Sequence, residues 1–130
     1  MDEAVKFTKE HEWVKMTNDG NATIGISHFA QQQLGDIVSV ELPKVGSNFR
    51  LMQTMAIVDS VKASSDIYSP LSGEVMQVNV ELSEHPEWIN QSPYELGWMV
   101  KLGPSNMEEL DKLMTPNQYQ EFIGETEKQG

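Results

Sequence analysis

The chain has 130 residues, with 20 acidic against 9 basic side chains and a formal net charge of −11. That length fits one domain around one small core, and that charge repels phosphate backbones and anionic lipid, so neither nucleic-acid nor membrane binding is expected. No apolar run reaches the roughly 18 residues a spanning helix needs, Met1 to Lys6 does not read as a signal segment, and the absence of cysteine excludes disulfides, thiolate metal sites and a cysteine nucleophile.

In chain order, Asn18-Asp19-Gly20-Asn21 is a turn signal and Thr23-Ile24-Gly25-Ile26 after it a short strand. A helix follows Ser27 and ends near Leu34-Gly35, with Gly35 as its C-terminal cap. Val38-Ser39-Val40-Glu41-Leu42 alternates apolar and polar, the mark of a half-buried strand, and Pro43 ends it. Met55-Ala56-Ile57-Val58 and Ile67-Tyr68-Ser69 are apolar runs on either side of a polar stretch that holds a single lysine. They predict a β-hairpin with Lys62 near its tip, its amine free in water between small neighbours. Gly73-Glu74-Val75-Met76-Gln77-Val78-Asn79-Val80 alternates over a longer stretch, a second short helix lies within 83–90, and Trp98-Met99-Val100-Lys101-Leu102 closes the β part. Gly25 and Gly73 each fall inside a strand-like run and are expected to be structural, at points of close backbone approach.

The period then changes. Ser105-Asn106-Met107-Glu108 fits a capping box, followed by Met107, Leu110 and Met114 at helical spacing. Thr115-Pro116-Asn117-Gln118 is a second start signal, with threonine as cap, proline at the first helical position and glutamine three after the cap. Tyr119, Phe122 and Ile123 share a face, and Gly124 is the expected stop. The chain therefore reads as mostly β, a small sandwich or flattened barrel with short flanking helices. It forms one domain over 1–130, its β core spanning about 7–102 and its C-terminal helices about 105–124.

No constellation of these residues suggests catalysis. The serines and the 3 histidines include no Gly-x-Ser-x-Gly elbow. His11, His28 and His85 are scattered singly, without zinc-ligand spacing, so no metal site is expected. Gly20, Gly25 and Gly35 are too far apart for a phosphate loop. A carrier, adaptor or binding module fits better than an enzyme. Lys62 is also isolated, since no other basic residue lies between Arg50 and Lys101.

The lysine segment, Asp59-Ser60-Val61-Lys62-Ala63 followed by Ser69-Pro70-Leu71-Ser72-Gly73-Glu74-Val75, resembles the lipoylation site of the glycine cleavage system H-protein family. The likeness continues in register through Phe7-Thr8-Lys9-Glu10-His11-Glu12-Trp13-Val14 and through Ile24-Gly25-Ile26-Ser27-His28-Phe29-Ala30. It extends through Leu34-Gly35-Asp36-Ile37-Val38, Glu41-Leu42-Pro43-Lys44-Val45-Gly46, Asn90, Pro93-Tyr94-Glu95 and Gly97-Trp98-Met99-Val100-Lys101 to the segment 105–122. One departure is Asp59, where the family usually has glutamate, which keeps the charge on a shorter side chain.

The resemblance implies a hybrid barrel-sandwich fold, with a quasi-twofold relating the Gly25 and Gly73 segments, and lipoic acid in amide linkage on Lys62. It implies a non-catalytic carrier with three partners: a glycine decarboxylase (P-protein) that loads an aminomethyl group, an aminomethyltransferase (T-protein) that removes the carbon unit, and a dihydrolipoamide dehydrogenase (L-protein) that reoxidises the dithiol. A lipoate ligase or transferase is implied as well, with Asp59 assigned to its recognition. The family parks its arm in a surface cleft, and matching positions make Glu12 and Asp66 candidates for holding the cationic amine, with His28 lining the cleft. A monomer is expected, in the mitochondrial matrix if the source is eukaryotic and in the cytoplasm if it is bacterial. Three rivals stand beside it: another swinging-arm domain, either a biotin carrier, which would place methionines where Val61 and Ala63 stand, or a lipoyl domain of a 2-oxoacid dehydrogenase complex, which favours Asp-Lys-Ala; an H-like protein that mainly relays lipoate to other complexes; and an unmodified acidic adaptor.

Overall fold

A computed structural model of the chain describes residues 4–129, with side chains to residue 124. Met1 to Glu3, half of the N-terminal segment without signal character, lie outside the described residues. Strands β1 (Val5–Phe7), β2 (Glu12–Met16) and β3 (Ala22–Ile26) form a meander that leads into helix α1 (His28–Leu34). Then come β4 (Ile37–Glu41), β5 (Asn48–Phe49), β6 (Thr54–Ser60), β7 (Ser64–Tyr68) and β8 (Gly73–Val78). A 3₁₀ turn at Val80–Ser83, a single turn of helix α2 (Trp88–Gln91), β9 (Val100–Pro104), a 3₁₀ segment Met107–Lys112 and helix α3 (Pro116–Gln129) complete the chain. The pairings are all antiparallel, in a six-stranded sheet ordered β1-β2-β3-β9-β8-β5 and a three-stranded sheet ordered β4-β6-β7. This is the barrel-sandwich architecture expected.

The main core joins both sheets. Ile24, Val75, Val100 and Leu102 from the larger sheet meet Val58, Ile67 and Ile37 from the smaller one, with Leu71, Leu82, Ile89 and Met99 closing the ends. Each such side chain contributes about 1.5–3 kcal/mol by leaving water. A second cluster lies on the other face of the meander, where Val5, Phe7 and Trp13 pack with Tyr119 and Ile123 of α3. The Phe7 and Tyr119 rings stack with centroids 4.1 Å apart. Strand β2 is thus covered on both faces: Val14 enters the main core and Trp13 the second cluster.

Local chemistry explains most element ends. The Ser27 hydroxyl caps α1 by accepting from the Ala30 amide at 3.1 Å, and Gly35 closes the helix at φ +80°. The Thr115 hydroxyl accepts from the Gln118 amide while the Gln118 side-chain carbonyl accepts from the Thr115 amide, a reciprocal box that starts α3. Three expectations fail. The Ser105 box does not form: Asn106 is the cap, accepting from the Glu108 amide, because the Ser105 amide is already donated to the Ser72 carbonyl. The segment it opens is 3₁₀, and Met107 is exposed. The helix sought within 83–90 is split into two single turns around Pro86, whose ring disfavours helical backbone in the residue before it. Gly124 does not stop α3, which continues to Gln129.

Gly73 and Gly25 both mark close approaches, of different kinds. A Cβ on Gly73 would stand 2.2 Å from the Gly103 backbone oxygen, whereas one on Gly25 would meet the indole of Trp13, its cross-strand partner. Gly73→Ala should therefore destabilise by roughly 3 kcal/mol or more, since the obstructing atom is backbone. Gly124→Ala, with nothing within 4 Å of the new atom and a helical backbone on both sides, should stabilise by about 0.5–1 kcal/mol. Thermal unfolding followed by circular dichroism gives both signs. A neutral Gly73→Ala would mean that β8 and β9 separate easily.

Candidate functional site

The hairpin β6–β7 pairs Asp59 with Ser64, Val58 with Ser65 and Ile57 with Asp66, which leaves Val61, Lys62 and Ala63 as the turn. Val58 and Ile67 anchor its body in the core, while Val61 to Ser64 are exposed. The turn is held from within. The Ser60 amide donates to the Ala63 carbonyl at 2.8 Å, and the Ser60 hydroxyl accepts from the Lys62 and Ala63 amides at 3.1 Å each. It is also braced from outside, because the Val61 amide donates to the Asp36 carbonyl at 3.0 Å. Lys62 thus projects from a stiff mount, and among the described residues no ion pair engages its ammonium.

Beside the tip lies a cleft of about 520 Å³. One wall is α1, through Phe29, Ala30, Gln33 and Leu34; the other is β7, from Ser64 to Tyr68. Glu10 and His11 close the far end, in the turn between β1 and β2. The lining mixes apolar surface with the carboxylates of Asp66 and Glu10.

The predicted site residues fall in distinct places. Lys62 is at the hairpin tip and Asp66 lines the cleft. Asp59 lies on β6 just before the tip, where hydrogen bonds from the Ser64 and Ser39 hydroxyls hold its carboxyl below the usual carboxylate range. Glu12 does not line the cleft. It is buried beneath it, its Oε1 accepting from the Thr8 hydroxyl at 2.6 Å and its Oε2 from the Tyr68 amide at 3.2 Å. Burial pushes this carboxyl up to about 7, against the downward pull of those two hydrogen bonds.

His28 lies outside the cleft. It is exposed at the start of α1, with its ring nitrogen against the Gln31 amide, and it borders a different depression with Gln32, Tyr94 and Tyr119. The turn of the helix explains this, since Phe29, Ala30, Gln33 and Leu34 share one face and His28 falls on another. The histidine at the cleft is His11. Its backbone is left-handed at φ +74°, and its Nδ1 meets the Tyr119 hydroxyl at 2.8 Å. Burial lowers its pKa. Glu10 and His11 sit in the segment that carried the family likeness, but nothing in their spacing marks them as facing a cleft. Trp13 is core, with its indole N–H donated to the Pro93 carbonyl; Trp88 and Trp98 are half-buried. Among the described residues no group of three or more potential ligands could hold a metal ion, and no helix is long and apolar enough to cross a membrane.

An exposed lysine on a stiff hairpin of a barrel-sandwich, beside a cleft, is the arrangement that a swinging-arm carrier requires. The family model for the glycine cleavage H-protein matches residues 5–126. The chain is 50% identical over 125 residues to the glycine cleavage system H protein of Vibrio vulnificus, covering 96% of this chain and 99% of that one. It is 49% identical over 121 residues to the H protein of Bacillus velezensis, covering 93% and 94%. The crystal structure of the H protein from Mycobacterium marinum superposes with a TM-score of 0.84 at 31% identity, covering 97% of this chain and 98% of that one. The chain belongs to the glycine cleavage H-protein family. It is a lipoyl-type carrier component of that system and not an enzyme in its own right.

Glu12 gives a pH signature. Its folded pKa, about 7, lies above its reference value of 4.5, so the folded state holds an extra proton between those values and loses stability as pH rises through that window. Glu12→Gln removes the titration. Relative to the parent it should gain roughly 2–3 kcal/mol between pH 5 and pH 8. Urea unfolding at the two pH values measures this, and a stability difference that does not change with pH would show that Glu12 does not titrate in this range.

Proposed function

We propose that Lys62 carries lipoic acid in amide linkage and that the protein moves an aminomethyl group and reducing equivalents among the enzymes of glycine cleavage. The observation that carries this reading is the exposed Lys62 amine, engaged by no ion pair among the described residues, on a hairpin tip braced by Ser60 and Asp36. Acylation requires an amine that an enzyme can reach, and this one has small neighbours, Ala63 and Ser64, on one side. The surroundings fit the group. The cleft beside the tip offers Phe29, Leu34 and Ile67 to a hydrocarbon arm and Asp66 and Glu10 to a cationic end.

A lipoyl group attached there would supply the reactive disulfide that the cysteine-free chain lacks. The chain's own residues do the rest. Acylation removes the lysine charge, so the arm meets no cost of burying an ammonium as it enters the cleft. Asp66 and Glu10 attract a positively charged cargo at the cleft surface. Glu12, beneath the Tyr68 amide, provides a reserve of negative charge, because a nearby cation favours its ionised form. Asp59 keeps a carboxylate beside the tip for the lipoylating enzyme to read.

The partners in this reading are a glycine decarboxylase, an aminomethyltransferase, a dihydrolipoamide dehydrogenase and a lipoate ligase or transferase. The excess of acid, −11 overall, suits brief docking on basic surfaces, where charge raises encounter rate more than lasting affinity. The protein acts as a monomer, and its bacterial relatives favour the cytoplasm over the mitochondrial matrix.

Incubation with lipoate, ATP and lipoate ligase should add roughly 188 Da to the intact protein, and none to Lys62→Arg. The lipoylated protein should support glycine–bicarbonate exchange with the decarboxylase, and the arginine variant should not. An unmodified mass under every lipoylating condition would leave an acidic adaptor as the better reading. Asp66→Asn should still be lipoylated to completion, while ammonia is released from its loaded form severalfold faster.

A further inference from the structure

The hairpin tip is tied to the rest of the fold through the Val61 amide, which donates to the Asp36 carbonyl at 3.0 Å. Asp36 belongs to the short loop between α1 and β4, and that loop is gripped on both sides of Asp36 by a single side chain from α2. The Asn90 Nδ2 donates to the Gly35 carbonyl at 3.0 Å and to the Gln31 Oε1 at 2.9 Å. The Asn90 Oδ1 accepts from the Ile37 amide at 2.9 Å. Among the twenty side chains, an amide at this length is suited to the task, because it offers two donors and an acceptor in one plane. The grip reaches the hairpin twice, since Ile37 pairs with Ser60, the residue that builds the turn.

The lysyl stem lies on the same loop. A Cβ on Gly35 would stand 3.2 Å from the Lys62 Cε and 3.8 Å from its Cδ, so the stem crosses the bare Cα of the residue that caps α1. The neighbours before it, Gln33 and Leu34, already line the cleft. A stem that rests on Gly35 is therefore aimed along the cleft rim from its first carbons.

We propose that Asn90 is a positioning residue for the arm: by clasping Gly35 and Ile37 it fixes the Asp36 carbonyl, and through it the hairpin tip and the direction in which the Lys62 side chain leaves the surface. This rests on the reading of Lys62 as the lipoyl attachment point, but the clasp itself is testable without the cofactor. Its effect is on order at the tip, not on the fold as a whole, because Val58 and Ile67 hold the hairpin body in the core.

Two variants separate these roles. Asn90→Ala removes all three hydrogen bonds, and Asn90→Asp keeps the acceptor for Ile37 while losing both donors. Gln31→Leu is the control, since it removes one of the three bonds and leaves Gly35 and Ile37 held. The readout is amide hydrogen exchange of Val61 against Val58 in the unlipoylated proteins. Asn90→Ala should speed exchange at Val61 by about tenfold with Val58 unchanged, Asn90→Asp should do so to a lesser degree, and Gln31→Leu should stay within about twofold of the parent. Should Asn90→Ala fail to fold, Asn90→Asp carries the test. After lipoylation verified by intact mass, the reduced arm of Asn90→Asp should react severalfold faster with a bulky disulfide reagent than the parent's. Unchanged exchange at Val61, or an equal rise at Val61 and Val58, overturns the assignment. A Val61-specific rise in a protein that never gains the lipoyl mass upholds the clasp and sinks the lipoyl reading alone.

Discussion

The carrier depends on holding one exposed backbone turn still. A side-chain amine in water is mobile by nature, and a long arm attached to it gains a defined reach only if its origin does not move. With Lys62 as the proposed attachment point, the origin is set by the Ser60 hydroxyl, which accepts from the Lys62 and Ala63 amides, and by the Asp36 carbonyl, which accepts from Val61. These bonds involve residues that water can also reach, so each is worth about 1 kcal/mol. Their value lies in geometry. An arm that starts from one point keeps a high local concentration at the cleft beside it and at any docked partner, whereas a mobile loop would spread the same arm over many origins. The remainder of the fold secures that turn: the three-stranded sheet holds the hairpin body, the core holds the sheet, and the loop before β4 braces the tip.

Two carboxylic acids at the hairpin show how environment divides one chemistry: Asp59 lies on β6, and Glu12 of β2 accepts from the Tyr68 amide at the end of β7. Asp59 stands near water with two serine hydroxyls donating to it, which holds its pKa down and keeps its charge. Glu12 is enclosed, with one hydroxyl and one amide to offset the loss of hydration, and its pKa rises to about 7. Hydrogen bonding wins at the first site because desolvation there is small; desolvation wins at the second because it is large. In the proposed reading, a carboxylate that a lipoylating enzyme recognises must stay charged, and one beneath a cleft that takes a cationic cargo gains from being able to acquire charge when the cargo arrives.

Legibility in the sequence followed from how local each signal is. The hairpin at Lys62 was readable because two apolar runs flank a polar turn, and α1 and the start of α3 were readable because Ser27, Gly35, Thr115 and Gln118 carry their capping chemistry in neighbouring positions. Strands β1 and β2 carry no periodic signal in the sequence. Both of their faces are covered, by the main core and by α3, so β2 lacks the alternation of a half-buried strand and even buries a glutamate. Strand β5 is two residues long, too short for any period. The Ser105 box failed because a tertiary partner, Ser72, claimed the backbone group that a helix start would have left free. For the site, Lys62, Asp59 and Asp66 stand where the hairpin register puts them, whereas the exchange of His28 for His11 turns on helix phase and on a left-handed backbone at residue 11 that no spacing rule contains.

His11 also explains why α3 is part of the carrier. A left-handed conformation favours glycine or asparagine, and a histidine there carries a backbone cost of about 1 kcal/mol. The ring offsets that cost by packing against Phe29 and Phe122 and by its bond to Tyr119. The Tyr119 hydroxyl meets the Ser27 hydroxyl as well, at 2.6 Å, and Ser27 caps α1. One tyrosine of α3 therefore touches both the turn that closes the cleft and the cap of the helix that forms its wall. Burial holds that hydroxyl protonated far above neutral pH, so it stays a neutral hydrogen-bonding group in any physiological state. The C-terminal helix, remote from Lys62 in sequence, sets the shape of one end of the cleft through Tyr119 and His11, as the loop beside Asn90 braces the hairpin tip.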